Sequence, residues 1–172
     1  GGSRSGSVPA FRAVDISDPT NPAQVADHDP CRGGADIDLW GNYAVMAGCH
    51  ELTVIDVTTP IAPVEVGSLA IGICSDLDVH GDHAYIAESR LKAVSLSVPG
   101  APTVVGELSD VIPQSLDAEG GLAYLSTGNE SLHVVDVSDP TTPTDIASGV
   151  LPGATTQGVR LHGSLLAVAT RD

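Results

Sequence analysis

The chain contains one segment repeated four times, and the length of this repeat restricts the possible folds more than any other feature. The repeats start at Phe11, Leu52, Leu91 and Leu132, so successive starts are 41, 39 and 41 residues apart. Each repeat carries two prolines at the same place: Pro19 and Pro22, Pro60 and Pro63, Pro99 and Pro102, Pro140 and Pro143. A period near forty residues that is filled with short strands and turns is typical of a β-propeller.

The best-formed unit, residues 75–108, shows how the strands are arranged. Polar and apolar residues alternate over 75–79, and further apolar runs follow at 84–87, 91–96 and 103–108. This alternation is the period of a strand with one buried face. The turn between the first two strands has a glycine at its centre, as do its counterparts in the other repeats, and the prolines fall between strands. Each repeat therefore predicts four antiparallel strands, which form one propeller blade.

The repeated segments also resemble a known family. LTVIDVTTP and LHVVDVSDP, each followed by a second proline, and the later G-x-x-A-Y segments at 81–85 and 120–124 are similar to the LVIVD repeat. The third repeat departs from this pattern, because Ser95 stands where the others have Asp15, Asp56 and Asp136. The fourth departs from it at Leu166-Ala167. The resemblance implies a β-propeller in an extracellular or cell-surface protein, and it transfers no catalytic residue.

The order of strands indicates how a ring closes. With strands named A to D from the axis outward, residues 11–28 supply strands C and D, and residues 155–170 supply A and B. Pairing these two ends completes a fourth blade and leaves no open edge. We therefore expect residues 11–172 to form one domain, a closed four-bladed ring. Two alternatives remain open: two chains that exchange half-blades to form eight blades, and part of a longer array.

Composition excludes several classes of partner. The 22 acidic and 7 basic residues give a net charge of −15, which argues against binding to nucleic acid or to anionic lipid. No apolar stretch is long enough to insert into a membrane. Residues 1–10 read as a linker or tag-like segment and have no apolar region of a signal peptide. Aromatic residues make up only 3% of the chain, so the core must be aliphatic.

Strand A carries the most conspicuous polar residues. Asp38, Asp78, Asp117 and Arg160 occupy equivalent positions around the predicted axis. Three carboxylates with one arginine predict a structural network in which Arg160 neutralises the cluster by bidentate pairing. Oxygen ligands would also suit Ca²⁺, which is the alternative.

The next equivalent position, two residues further along strand A, holds Trp40, His80, Glu119 and His162. His80, Glu119 and His162 are candidate Zn²⁺ ligands, with exposed turn residues as the simpler interpretation. The expected state contains no cofactor, and Ca²⁺ or Zn²⁺ is the alternative.

The D–A and B–C loops collect at the opposite end of the blades. They carry the candidate binding residues Arg32, His50, Glu51, Arg90 and Glu130. The predicted binding face comprises residues 28–34, 48–51, 71–74, 88–90, 110–114 and 127–131. Cys31 and Cys49 flank one A–B hairpin, so a disulfide between them is one hypothesis, which leaves Cys74 as the odd thiol. A Cys/His metal site from Cys31, Cys49, His50 and Cys74 is the other, although no C-x-x-C spacing supports it.

These observations predict a non-catalytic, extracellular or surface scaffold that binds a protein or glycan partner through its loops. Stiff blades that carry variable loops on one face suit such a role. The common catalytic motifs are absent from the sequence. Two other functions stay open: a metal-dependent enzyme or metal-binding protein with its site on the axis, and a structural module of a larger repeat array. The chain is expected to be a monomer or a half-blade-exchanged dimer.

Overall fold

The computed structural model describes residues 11–28, 34–48, 50–151 and 155–171, and the regular structure in these ranges is entirely β-strand. The strands are β1 (Phe11–Asp15), β2 (Ala23–His28), β3 (Asp36–Trp40), β4 (Tyr43–Gly48), β5 (Glu51–Asp56), β6 (Val64–Ala70), β7 (Asp76–His80), β8 (His83–Ala87), β9 (Leu91–Ser95), β10 (Thr103–Leu108), β11 (Pro113–Glu119), β12 (Leu122–Thr127), β13 (Ser131–Asp136), β14 (Thr144–Val150), β15 (Thr155–His162) and β16 (Leu165–Arg171).

The described strands form three antiparallel four-stranded sheets: β3–β6, β7–β10 and β11–β14. We call these the first, second and third complete blades. Two-stranded sheets flank them, the N-terminal hairpin β1–β2 and the C-terminal hairpin β15–β16. The innermost strands β3, β7, β11 and β15 lie side by side in chain order. This all-β, propeller-like arrangement confirms the predicted strand content of each repeat.

The tight turns between the first two strands of each blade follow from their glycines. Gly41, Gly81, Gly120 and Gly163 adopt φ between 57° and 61° in the A–B hairpins. Residues with a Cβ rarely adopt this left-handed conformation. Glycine at this point therefore sets the register between strands A and B.

Aliphatic side chains fill the space between neighbouring blades. Leu52 and Val54 of the first complete blade pack with Val94 and Leu96 of the second in one buried cluster. Leu91 and Ala93 pack in the same way with Val135 and Val137 of the third blade. A smaller cluster seats Phe11 of the N-terminal hairpin on Ala44, Met46 and Ile55 of the first blade. The core is thus a series of layers between blades, each from equivalent positions of adjacent repeats.

The paired prolines also contribute to these seams. A β-bulge in strand D is followed by Gly67 in the first complete blade and by Gly106 in the second. A Cβ at Gly106 would lie 2.1 Å from the carbonyl oxygen of Pro140 in the C–D loop of the next blade. Glycine thus lets that proline loop approach the preceding blade closely, which accounts for the recurrence of both features.

The two flanking hairpins remain separate sheets in the described residues. β1 pairs with β2 and β15 pairs with β16, and no ladder joins β16 to β1 in the described part of the chain. The pairing that would close a four-bladed ring is therefore not among the strand pairs that the structure describes.

Candidate functional site

The aspartates of the inner strands connect one blade to the next. Asp38 accepts the Val79 amide at 2.9 Å, Asp78 accepts the Ala118 amide at 2.7 Å, and Asp117 accepts the Leu161 amide at 2.7 Å. Each bond runs from a carboxylate of one inner strand to the backbone of the next. A second layer, two residues upstream on each inner strand, repeats the pattern. Asp36 accepts the Leu77 amide, Asp76 accepts the Leu116 amide, and the Ser115 hydroxyl oxygen accepts the Val159 amide. These side chains act as hydrogen-bond bridges across the seams.

Arg160 differs from the prediction in its partners. Its Nη1 donates to the carbonyl oxygens of Leu116 at 3.0 Å and Val159 at 2.9 Å, and lies 3.8 Å from the carboxylate of Asp76. The predicted bidentate pairing with Asp38, Asp78 and Asp117 is not the contact that this guanidinium makes, because its Nη1 is directed to the backbone carbonyls of β11 and of its own strand. Arg160 still acts on the layer electrostatically.

Burial perturbs the carboxylates of both layers. Burial raises the pKa of Asp78, and the charges of Asp117 and Asp38 add to the rise while Arg160 opposes it. The pKa of Asp36 is raised from 3.8 to about 6, first by burial and then by a hydrogen bond with Asp76. Two carboxyl groups in hydrogen-bonding contact favour a shared proton, since both cannot ionise cheaply at short range. Asp36 therefore holds its proton more tightly than an isolated aspartate does.

The predicted zinc ligands lie at the other end of the inner strands. His80, Glu119 and His162 are exposed residues that immediately precede the hairpin glycines. In the described ranges, no group of three or more His, Cys, Asp or Glu side chains is placed to hold a metal ion. The nearby Trp40 and Tyr43 stack with ring centroids 5.4 Å apart.

The loop end carries paired charges as well as exposed ones. Arg90 lies 3.0 Å from Glu107 in a half-exposed ion pair, whereas Glu88 and Lys92 form a largely buried one, also at 3.0 Å. Glu51 is half-buried and His50 is exposed. The structure thus places Arg90, His50 and Glu51 on the predicted loop face.

Two residues of this face adopt a left-handed backbone. His50 has φ 72° and Glu130 has φ 67°, at equivalent B–C turns. The His50 carbonyl accepts the Ile71 amide, and the Glu130 carbonyl accepts the Leu151 amide at 2.8 Å. Each turn is therefore tied to the end of strand D in its own blade. These bonds compensate for a conformation that is unfavourable for residues with a Cβ.

Several predicted residues lie outside the described ranges. Arg32, Cys31 and Cys49 are among them, so the proposed disulfide and the Cys/His site stay predictions. Cys74 is described and is buried as a free thiol. Burial raises its pKa from 9.0 to about 12, which makes it a poor nucleophile at neutral pH.

Two neighbouring cavities open at the loop end of the inner strands. The first, of about 550 Å³, lies over the starts of β7, β11 and β15 and is lined by polar residues that include Asp76, Ser115, Gln157 and Arg160. The second, of about 410 Å³, lies within the third blade between its D–A and B–C loops. Gln114 lines both cavities. We call this pair of cavities the loop-end basin.

The second cavity offers several kinds of polar contact. Its lining includes Asp110, Gln114, Asn129, Thr127 and His133. The Thr127 hydroxyl already donates to Asn129, and His133 pairs with Asp145, so Asp110 and Gln114 offer the freer polar groups. Ile112, which is 65% exposed, contributes an apolar surface. Such a combination can bind a ligand through hydrogen bonds around an apolar contact.

The predicted loop face, through residues 110–114 and 127–131, contains most of the lining of the second cavity, including Gln114. It contains little of the first cavity. Asp36 and Asp76 stand two residues before Asp38 and Asp78, so alternation along strand A could have revealed them. Ser115 and Gln157 carried no signal, because their position above the axis depends on packing between blades.

Comparison with known sequences agrees with the repeat analysis. The LVIVD repeat matches the chain at residues 11–29, 32–70, 71–110 and 113–148. The matched segments cover more than half of the sequence, so the chain belongs to the LVIVD-repeat family. No curated protein matches it significantly. The described residues contain no helix that could span a membrane.

Proposed function

We propose that the chain is a non-catalytic binding scaffold that recognises a protein or glycan partner through the loop-end basin, in an extracellular or cell-surface setting. The observation that carries the proposal is the pair of cavities that share Gln114. The second cavity is large enough for a short peptide segment or a sugar. Loops that vary on a rigid scaffold are the usual place for recognition.

The chemistry of the inner strands supports a structural role for the carboxylates. Asp38, Asp78 and Asp117 each accept a backbone amide of the next blade. A carboxylate engaged in this way stabilises the seam and is poorly placed to move a proton to or from a substrate. This favours binding over catalysis at the axis.

The distribution of aromatic rings favours a protein partner over a glycan. Trp40 and Tyr43 lie at the hairpin end, away from the basin, while Phe11 and Tyr85 are buried. The basin presents instead amides, a hydroxyl, an imidazole and the exposed Ile112. Exposed aliphatic and amide groups suit a peptide segment with its own backbone donors and acceptors.

The proposal can be tested with two defined probes, a phage-displayed peptide library and a glycan microarray. Peptides selected on the wild-type chain should lose most of their affinity for Gln114→Ala and Asn129→Ala. They should bind His80→Ala unchanged, because His80 is exposed at the opposite end and serves as the matched control. Binding should persist in EDTA if the scaffold works without a metal. Equal binding to all variants, or loss only with His80→Ala, would place recognition elsewhere.

A further inference from the structure

Apolar residues that pack between blades in the rest of the structure are exposed in the N-terminal hairpin. Val14 is 49% exposed, whereas its equivalents Ile55, Val94 and Val135 are each 0% exposed. Ile16 is 70% exposed, whereas its equivalent Val57 is half-buried, Leu96 is 0% exposed and Val137 is 4% exposed. This face of a blade normally packs on the preceding blade, and the described residues place no blade there.

The complementary face is also incompletely covered. Leu132 and Val134 of the third complete blade are half-buried, whereas their equivalents Leu52, Val54, Leu91 and Ala93 are 0% exposed. In each inner seam these two sets of positions pack on one another. The exposed residues of the N-terminal hairpin and of the third blade are therefore the two sides of one seam that the described chain leaves unformed.

Within the described ranges, the proline loop of the N-terminal hairpin and the edges of β1 and β16 also lack the contacts that their equivalents make in the complete blades. Pro22 is exposed, whereas its equivalent Pro63 is half-buried and its equivalents Pro102 and Pro143 are buried. All seven residues of β14, where such a loop would pack, are exposed. β16 is a strand B with one edge unpaired in the described residues, and β1 is a strand C in the same condition.

We propose that a second copy of this chain covers these surfaces, and that two copies exchange half-blades reciprocally. The N-terminal hairpin of one copy then pairs with β16 and packs on the third blade of the other, and the reverse contact closes an eight-bladed ring. Inside the exchanged blade, the contact between β16 of one copy and β1 of the other is a ladder between strands B and C. The chain already forms this ladder in each complete blade. Exchange of identical elements around a two-fold axis is a common route to a closed dimer.

Within a single chain, the N-terminal hairpin is less able to cover the third blade. Phe11 seats the N-terminal hairpin against Ala44, Met46 and Ile55 of the first blade. Extensive contacts between inner strands link β3 with β7, β7 with β11 and β11 with β15, and in the described residues no such contact links β15 with β3. The hairpin and its complementary face therefore stay apart within one copy.

The repeat predicts the register of the new ladder. Tyr85 faces Ala93 and Val45 faces Val54 in the complete blades, so Ala167 of one copy should face Ala13 of the other. Likewise, Leu165 should face Asp15, as Tyr43 faces Asp56. Facing residues in such ladders have Cα atoms about 4.5–5.5 Å apart, which permits a disulfide.

The test combines the mass of the wild-type chain with a designed cross-link. Native mass spectrometry of the unmodified chain should show twice 17.4 kDa. In a chain with Ser at positions 31 and 49, Ala13→Cys together with Ala167→Cys should give an oxidised dimer that survives denaturation and separates on reduction. Cys74 is retained because its thiol is buried. Each single variant serves as the control for non-specific oxidation.

Surface variants provide an independent measure. Val14→Asp should shift the mass to the monomer, because the charge would be buried against the partner's third blade. Val98→Asp is the matched control: it is 58% exposed and its equivalents in other repeats are Asp18 and Asp139. A wild-type monomer would overturn the proposal. If the double variant then formed an intramolecular cross-link, the closed four-bladed ring would replace it.

Discussion

At the scale of single residues, the carboxylates of this acidic chain divide into two groups with opposite electrostatics. Exposed turn aspartates accept hydrogen bonds from the residue two positions later, which lowers the pKa of Asp15, Asp18, Asp56, Asp136 and Asp139. Inner-strand aspartates accept amides across the seams at the cost of burial, which raises the pKa of Asp36 and Asp78. Aspartate therefore stabilises the turns as a carboxylate anion, whereas between blades it acts chiefly as a hydrogen-bond acceptor.

Two substitutions at Asp78 distinguish the contribution that its hydrogen-bond acceptor makes to stability from the contribution of its negative charge. Asp78→Ala should lower the free energy of unfolding by about 1–3 kcal/mol, because the buried amide of Ala118 loses its partner. Asp78→Asn keeps an acceptor and removes a charge that burial disfavours, so its stability at pH 7 should equal or exceed that of the wild type. Urea denaturation measures both. Asp82→Ala, at an exposed hairpin turn, should change stability by less than about 0.5 kcal/mol. Equal losses for the Ala and Asn variants would contradict the acceptor role.

The two groups of carboxylates also predict how stability depends on pH. Asp36 has a folded pKa of about 6 against 3.8 when unfolded, so its contribution is complete below pH 3.8 and is lost as the pH rises through 6. The turn aspartates have lowered pKa values, so their contribution is present above pH 3.8 and is lost on further acidification. Thermal denaturation should therefore show the highest stability near pH 4 and a decline between about pH 4 and 6. Asp36→Asn should flatten this decline; an unchanged decline would assign it to another group.

At the scale of structural elements, the bulged strand D and the proline loop form one unit across two blades. A Cβ at Gly67 would overlap the carbonyl oxygen of Pro99, and a Cβ at Gly106 would overlap that of Pro140. The equivalent residue of the N-terminal hairpin is Ala26, and a cavity of about 450 Å³ lies between that hairpin and Pro60–Ile61. The absence of a Cβ therefore distinguishes the closely packed seams from the looser one.

Gly106→Ala tests this element directly. Because the new Cβ would overlap backbone atoms of the next blade, we expect a loss of about 1–3 kcal/mol in the free energy of unfolding. Gly149→Ala is the matched control in another strand D, since nothing lies within 4 Å of its Cβ position. Denaturation curves with equal midpoints for the two variants would show that the proline loop moves aside freely.

At the scale of the whole molecule, the blades form a series of similar seams, and the two flanking hairpins differ from the complete blades in how much apolar surface they bury. Each complete blade buries both faces only when it has neighbours on both sides, as expected for repeats that contact only adjacent units. The exposed Val14 and Ile16 at one end and the half-buried Leu132 and Val134 at the other show where the next neighbours belong.

Half-blade exchange predicts that the protection of backbone amides from hydrogen exchange depends on the concentration of the chain. Amides of β1 and β16 should exchange with deuterium more slowly as the chain concentration rises, because dimerisation pairs these edges. Amides of β8, which lies inside a complete blade, should show no such dependence and provide the internal reference. Hydrogen exchange followed by mass spectrometry, over a hundredfold range of concentration, measures both. Rates for β1 and β16 that do not change with concentration would argue against exchange between chains.

Much of the fold could be predicted from the sequence because its signals are local and repeated. Alternation placed the four strands of each repeat, and the hairpin glycines placed the A–B turns, since both depend on the conformational preferences of neighbouring residues. The aligned positions Asp38, Asp78 and Asp117 pointed correctly to a polar layer on strand A. Their partners could not be predicted, because a carboxylate that accepts an amide some forty residues away leaves no pattern of its own.

The sequence by itself determined the strand content, the repeat and the family of this protein, because each repeat encodes one blade through local alternation and turn chemistry. Only the tertiary structure decided that Arg160 binds backbone carbonyls, that Gln114 joins two cavities, and that the described residues of the two flanking hairpins form separate sheets. The physical reason is that these features depend on how blades pack side by side. That packing is set by the summed burial of many aliphatic side chains and by bonds between distant repeats.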